Sequence, residues 1–250
     1  MTERRWRIGS VPYLNARPLV EGLANDPTIT YREDVPSRLA RGLDDGSLDA
    51  ALVSSVEALR HPGRAIVPDL CIASRGPVLS VKVFGRDDPK HAKRVALDGA
   101  SLTAAALTRI AYGVILDRRD VEFVPAVIAP DPAAANDAGV DATLVIGDKA
   151  LVLDRPDTRS WDLGDAWTQW SGLPFVWAVW LARDARIAAA LHETLMAAYD
   201  RGAPRIDAFA AARPDLGVDR ARHYLRHVMR YRLESSELEG LRRFDAIRVS

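Results

Sequence analysis

Chemistry in this chain has to come from a few polar residues placed just behind short apolar runs. Tyr13 and Asn15 are the first, in the segment Pro12-Tyr13-Leu14-Asn15-Ala16-Arg17-Pro18. The two prolines bracket a turn, since neither continues a sheet ladder or sits inside a helix. Asn15 offers a donor and an acceptor on a short side chain, and its plainer role is to cap the next helix. Ser54 and Ser55 follow the run Asp49 to Val53. Hydroxyls and free amides at a helix start there would suit a carboxylate. Ser74, Arg75, Gly76 and Ser80 form a third group. Gly76 lets a ligand approach the backbone, and Arg75 and Ser80 would complete an anion site, with a plain surface turn as the alternative. Ser101 and Thr103 behind Leu97-Asp98-Gly99 repeat the device. Asp148, after Ile146-Gly147, supplies a carboxylate whose plainer roles are a helix cap or a partner for Lys149.

Other chemistries have little to build on. The histidines are His61, His91, His192, His223 and His227, and none falls in these loops. His223 and His227 are four apart on an expected helix but lack the acidic pattern of a zinc protease, so no metal site is expected. Cys71 is the single cysteine and lies in an apolar run, which predicts a buried thiol. No Walker loop, dinucleotide fingerprint or nucleophile elbow appears, so no cofactor is expected. Lys plus Arg equals Asp plus Glu at 34 each, which disfavours nucleic acid. The basic cluster from Arg220 to Arg232 reads as a solvated helix face. No apolar run approaches the roughly 18 residues of a membrane helix, and no secretory pattern is seen at the start, so a cytoplasmic protein is expected.

The elements that must position these residues alternate. Short apolar runs are expected as strands at 6–10, 29–33, 49–53, 65–73, 78–84, 94–97, 121–125, 142–146 and 175–182. Helices are expected between them, at 37–45, 101–116, 131–138 and 161–170 among others, and in every segment from Asp184 onward. That order implies an α/β fold with mainly parallel sheets. Within 78–84, Val81 and Val83 are expected to face inward and Lys82 outward. A break at Asp87-Asp88-Pro89 suggests two lobes, residues 1–86 with 176–250, and an inserted lobe at 87–175 under a helical C-terminal tail. A ligand cleft between them, at the carboxyl ends of strands, is the expectation. Type 2 periplasmic binding proteins share this plan.

The ordered series of segments resembles the chorismate dehydratase family of the futalosine route to menaquinone. It runs from Tyr13-Leu14-Asn15-Ala16-Arg17-Pro18-Leu19 through Gly46–Val53 and Cys71–Val81. It continues with Ala96-Leu97-Asp98, Ile146–Leu151, Asp162–Trp167 and Gly172–Trp180, and ends in the tail at Tyr231–Phe244. One departure stands out. Family members often carry Ser-Arg-Thr-Ser where this chain has Ser101-Leu102-Thr103-Ala104.

The resemblance implies a periplasmic-binding-protein-like fold put to catalysis, with chorismate as substrate and 3-[(1-carboxyvinyl)oxy]benzoate as product. The substrate's two carboxylates would be held by Tyr13, Ser54, Ser55, Ser74, Arg75, Gly76, Ser80, Ser101 and Thr103. Asn15 would hydrogen-bond the departing hydroxyl. The base would be the substrate's own enolpyruvyl carboxylate, with Asp148 as the other candidate. A binding protein without chemistry and the related 1,4-dihydroxy-6-naphthoate synthase are the rival readings.

Overall fold

A computed structural model of the 250-residue chain describes residues 5–99, 101–126 and 139–248. In chain order the elements are β1 (Trp6–Ser10), α1 (Arg17–Val20), β2 (Ile29–Glu33), α2 (Pro36–Asp44), β3 (Ala50–Ser54), α3 (Ser55–Arg60), β4 (Ala65–Ser74) and β5 (Val81–Gly85). Next come β6 (Arg94–Leu97), α4 (Leu102–Ile110), β7 (Glu122–Pro125), β8 (Ala142–Ile146), α5 (Asp148–Leu153), β9 (Arg159–Asp162), α6 (Leu163–Ser171) and β10 (Phe175–Ala182). The chain then forms α7 (Ala185–Gly202), α8 (Ile206–Ala211), α9 (Val218–His223), β11 (Met229–Leu233) and α10 (Ser235–Arg248). Among the described residues no helix is long and apolar enough to cross a membrane.

The chain divides into two compact units, residues 1–73 with 176–238, and residues 74–175 with 239–250. The first unit holds a six-stranded sheet in the order β11-β4-β10-β3-β1-β2. β1 runs parallel to β2 and β3, and β10 runs antiparallel to β3 with Ala178 opposite Ser54. β3 is buried along its whole length, Ala50-Ala51-Leu52-Val53-Ser54, as an interior strand covered on both faces must be. At its start Asp49, fully buried, accepts from the backbone N–H of Arg7 and pairs with the Arg7 guanidinium at 2.8 Å. α2 starts at Pro36, whose missing N–H is no loss in a first turn.

The second unit holds a five-stranded sheet in the order β7-β6-β8-β5-β9. β6 runs parallel to β7 and β8, while β5 runs antiparallel to both β8 and β9. Its helices carry their own caps. Ser101 accepts from the Ala104 N–H at 3.2 Å, and Asp162 accepts from Gly164 and Asp165 at 2.9 and 3.1 Å. An aromatic cluster forms part of its core: Trp167 meets Phe175 edge-on at 5.2 Å, and Phe175 meets Phe244 at 4.9 Å. Such pairs add about 1 kcal/mol each beyond the area they bury.

Several expectations change. The sheets are mixed rather than mainly parallel, because β5 and β10 return against their neighbours. The helix expected over 161–170 is present as α6 but starts two residues later, because Trp161 and Asp162 end strand β9 and Asp162 caps the helix. The stretch after Asp184 is not all helical, since Met229, Tyr231 and Leu233 alternate inward along β11. The helix expected from Ser101 to Leu116 leaves regular geometry at Ala111 and ends in a π turn, Ala111–Ile115. Lys82 does not face outward. It is 7% exposed on an interior strand, with its Nζ 2.8 Å from Asp154 Oδ1. The unit bounds differ from 1–86 with 176–250 and 87–175 in two places. β5 pairs with β8 and β9 of the second sheet, and α10 from Glu239 on belongs to the second unit. The helix expected at 131–138 lies outside the described residues.

Candidate functional site

In the first unit the polar residues gather at one edge of the sheet. β1 and β3 are parallel, so Ser10 and Ser54 mark the same edge, and the antiparallel β10 begins there. Ser54 is 7% exposed and Ser55 fully buried, its Oγ donating to the Val176 carbonyl at 2.7 Å. Ser54 precedes α3 but makes no side-chain cap bond. Tyr13 and Asn15, both half-buried, follow β1 in a short 3-10 turn, Leu14–Ala16. The residue before α1 is Ala16 and no side chain caps that helix, so Asn15 is not a cap. Its Nδ2 donates instead to the Tyr224 hydroxyl at 3.0 Å. Its Oδ1 is buried and has no hydrogen-bond partner among the described residues. A buried acceptor left unpaired is unfavourable by about 1–3 kcal/mol, and natural proteins retain such groups where a ligand or water completes them.

The second unit has a matching edge. β6 and β8 are parallel and β5 antiparallel, so the ends of β6 and β8 and the start of β5 lie together. Ser80 precedes β5, Ser101 and Thr103 follow β6, and Asp148 follows β8. Ser80 and Thr103 are 2% and 0% exposed. Ser80 and Asp148 are brought close by the Gly147 N–H, which donates to the Ser80 carbonyl at 2.8 Å. Gly147 has φ 67° and ψ −150°, a backbone geometry open only to glycine. Asp148 lies in the first turn of α5, directly after Gly147 at the cap position. The Ser101 hydroxyl is the cap of α4.

The segment 76–80 is held in an unusual shape. The Ser80 N–H donates to the Val78 carbonyl at 2.7 Å, and Leu79 between them has φ 63°. This is a γ-turn of the strained hand, at a residue with a side chain. Asp162 clamps it, accepting from the Val78 and Leu79 N–H groups at 2.9 and 2.8 Å. Burial drives the Asp162 carboxyl above its ordinary value, and the backbone donors and Lys82 oppose that only in part. Gly76 donates its N–H to Thr168 Oγ1 at 2.8 Å. Arg75 is exposed and donates to the Gly172 carbonyl at 3.2 Å. Ser74, fully buried, is the last residue of β4. Leu102, where the family often has arginine, is 38% exposed.

The strand ends thus bring Ser10 and Ser54 to one end of the first sheet, and Ser80 and Asp148 to one end of the second. Sequence reasoning gave no role to Tyr224 or Asp162. Tyr224 had no signal of its own among the arginines of that stretch. Asp162 had one, an Asp placed two residues before a glycine at a helix start. Among the described residues no group of three or more His, Cys, Asp or Glu side chains is arranged to hold a metal ion.

Residues 6–248 match the family model described as menaquinone biosynthesis. The chain is 31% identical to a chorismate dehydratase of Thermus thermophilus, covering 96% of this chain and 94% of that protein. It is 27% identical to a chorismate dehydratase of Campylobacter jejuni, covering 95% of each. In fold it is similar to an Archaeoglobus fulgidus protein, with a TM-score of 0.80 at 15% identity over 99% of this chain and 97% of that one. It is also similar to the alkanesulfonate-binding protein SsuA of Xanthomonas axonopodis, with a TM-score of 0.66 at 17% identity over 98% and 93% of the two chains. The fold is thus that of the periplasmic binding proteins, and the chain belongs to the chorismate dehydratase family of menaquinone biosynthesis.

Proposed function

We propose that this protein is a hydro-lyase that removes water from chorismate to give 3-[(1-carboxyvinyl)oxy]benzoate. Support comes from the near full-length match to two chorismate dehydratases. The observation that carries the mechanism is Asn15, an amide whose nitrogen is held by Tyr224 and whose buried acceptor meets no group among the described residues.

The reaction needs little beyond orientation. A base takes the proton from the ring carbon bearing the enolpyruvyl ether. That C–H electron pair becomes the third ring double bond as the neighbouring C–O bond breaks. Hydroxide leaves and, with the abstracted proton, makes water. Aromatisation drives the step, so no cofactor enters this reading.

Asn15 meets the departing hydroxyl, using the second Nδ2 hydrogen that Tyr224 does not take, while Oδ1 accepts from the same region of the ligand. The substrate's enolpyruvyl carboxylate is the base, in preference to Asp148. Tyr13, Ser54, Ser55, Ser74, Arg75, Gly76, Ser80, Ser101 and Thr103 hold the two carboxylates. The cytoplasm is the proposed location, in keeping with a biosynthetic rather than a transport role.

The test is direct. Purified protein incubated with chorismate should yield a product lighter by one water, with the proton spectrum of a 3-substituted benzoate. Chorismate that binds but returns unchanged would favour a binding protein, the function of SsuA in the same fold. Chorismate that neither binds nor reacts would turn attention to the naphthoate synthase.

A further inference from the structure

We infer that Tyr224 is a positioning residue that anchors the Asn15 amide by its nitrogen and holds it toward the ligand, an inference that builds on the role proposed for Asn15.

Three observations meet at this pair. The first is the bond itself, Asn15 Nδ2 to Tyr224 Oη at 3.0 Å between residues 209 apart in sequence. The second is where Tyr224 sits. It is fully buried, and it opens a π turn, Tyr224–Val228, inserted between α9 and β11. A π turn sacrifices regular helical hydrogen bonding and recurs at functional sites. Here it falls between the helix that brings the tyrosine in and the strand that returns to the sheet. The third is the unpaired Asn15 Oδ1.

An amide has chemically opposite ends of nearly the same shape. A tyrosine hydroxyl both donates and accepts, so it can anchor an amide by either end. Here it accepts from Nδ2, which leaves Oδ1 and one N–H pointing away. The proposed reaction needs that end, with its N–H for the leaving hydroxyl. Tyr224 thus acts through Asn15 and touches no reacting atom.

Tyr224→Phe removes only the hydroxyl. With chorismate, kcat should fall by about 10-fold to 100-fold, the scale of a misplaced catalytic group, with KM changed by no more than about twofold. In an Asn15→Ala background the same change should do nothing further to kcat, because the group it positions is gone. An equal fall in both backgrounds overturns the inference, as does a normal kcat in Tyr224→Phe.

A second measurement needs neither turnover nor a variant of Tyr224. In the ¹⁵N-labelled wild type the side-chain NH₂ of Asn15, assigned by its loss in Asn15→Ala, should exchange with water more slowly than that of the exposed Asn25. In Tyr224→Phe its two proton signals should shift and exchange faster. Equal exchange for Asn15 and Asn25 in the wild type overturns the inference. Should the wild type leave chorismate untouched, the reaction reading fails, and this exchange measurement alone decides the role of Tyr224.

Discussion

Replacing Asp162 with Asn separates the two jobs of one carboxylate. Oδ1 accepts from the N–H groups of Val78, Gly164 and Asp165, while Oδ2 accepts from Leu79. An amide whose oxygen takes the Oδ1 position keeps the first three bonds. Its nitrogen then confronts the Leu79 N–H, donor against donor. One buried backbone donor is left unmet, which destabilises by about 1–3 kcal/mol, centrally about 2. Asp162→Ala leaves all four donors without that carboxylate, and at about 1 kcal/mol each, the lower end of the same range, the loss is at least about 4 in total. For a chain of this length those losses lower the melting temperature by about 4–8 °C and 8–16 °C.

Calorimetry on the two variants and the wild type checks the order and the spacing. Chorismate turnover measured alongside should fall in Asp162→Asn, since the strained turn at Leu79 loses its clamp one residue before Ser80. Two results would refute this account. One is an Asp162→Asn protein as stable as the wild type. The other is an Asp162→Asn protein as weak as Asp162→Ala, which would mean that the Leu79 bond is not separable from the helix cap.

Asn15→Ala should lower turnover of chorismate by about 100-fold or more with a smaller change in binding, and leave the melting curve nearly intact; steady-state kinetics and a thermal melt read both. Glu237 has a side chain that is fully buried beside Arg230. Burial alone would raise its carboxyl, but hydrogen bonds from Ser236 and Arg230 outweigh that and hold it below the ordinary 4.5. Its contribution to stability is present above about pH 4.5 and is lost as the pH falls through the lower folded value. Urea titrations from pH 6 to 3 should therefore show a steeper acid loss in the wild type than in Glu237→Gln. Gly240→Ala should be among the more damaging single-methyl insertions, at about 3 kcal/mol. Its new Cβ would stand 2.1 Å from the Pro174 carbonyl oxygen, a backbone atom already bonded to Trp167 Nε1. An urea melt within about 0.5 kcal/mol of wild type would show that α10 can move off that carbonyl.

Much of this fold was legible because burial leaves a periodic trace. Ile29–Glu33, Arg94–Leu97, Ala142–Ile146 and Phe175–Ala182 are strands where the apolar runs said they would be. The failures have definite causes. Met229-Arg230-Tyr231-Arg232-Leu233 alternates with period two, but it is short and follows a helical stretch rich in arginine, so its signal was absorbed into that helix. Lys82 read as a solvent-facing residue because its partner Asp154 lies 72 positions away. The site was legible only at the level of edges. Serines behind strands mark where backbone amides end, yet nothing local says that Asn15 spends its nitrogen on Tyr224. Nor does anything local say that Asp162 reaches back to Leu79. Both bonds join segments far apart in sequence, and only the folded sheet brings those segments together.

The membership of α10 carries a consequence for how the molecule is made. The second unit needs residues from Glu239 on: Phe244 closes the aromatic cluster with Phe175, and Gly240 seats against Pro174. On the ribosome, segment 74–175 emerges long before that helix is synthesised. The unit must therefore wait, with Trp167 and Phe175 uncovered, while the remainder of the first unit is translated. A ribosome that stalls or terminates early leaves an exposed aromatic surface of the kind that chaperones and proteases recognise. The position of α10 in the chain thus means that a polypeptide must be translated through Phe244 before that aromatic surface can be covered.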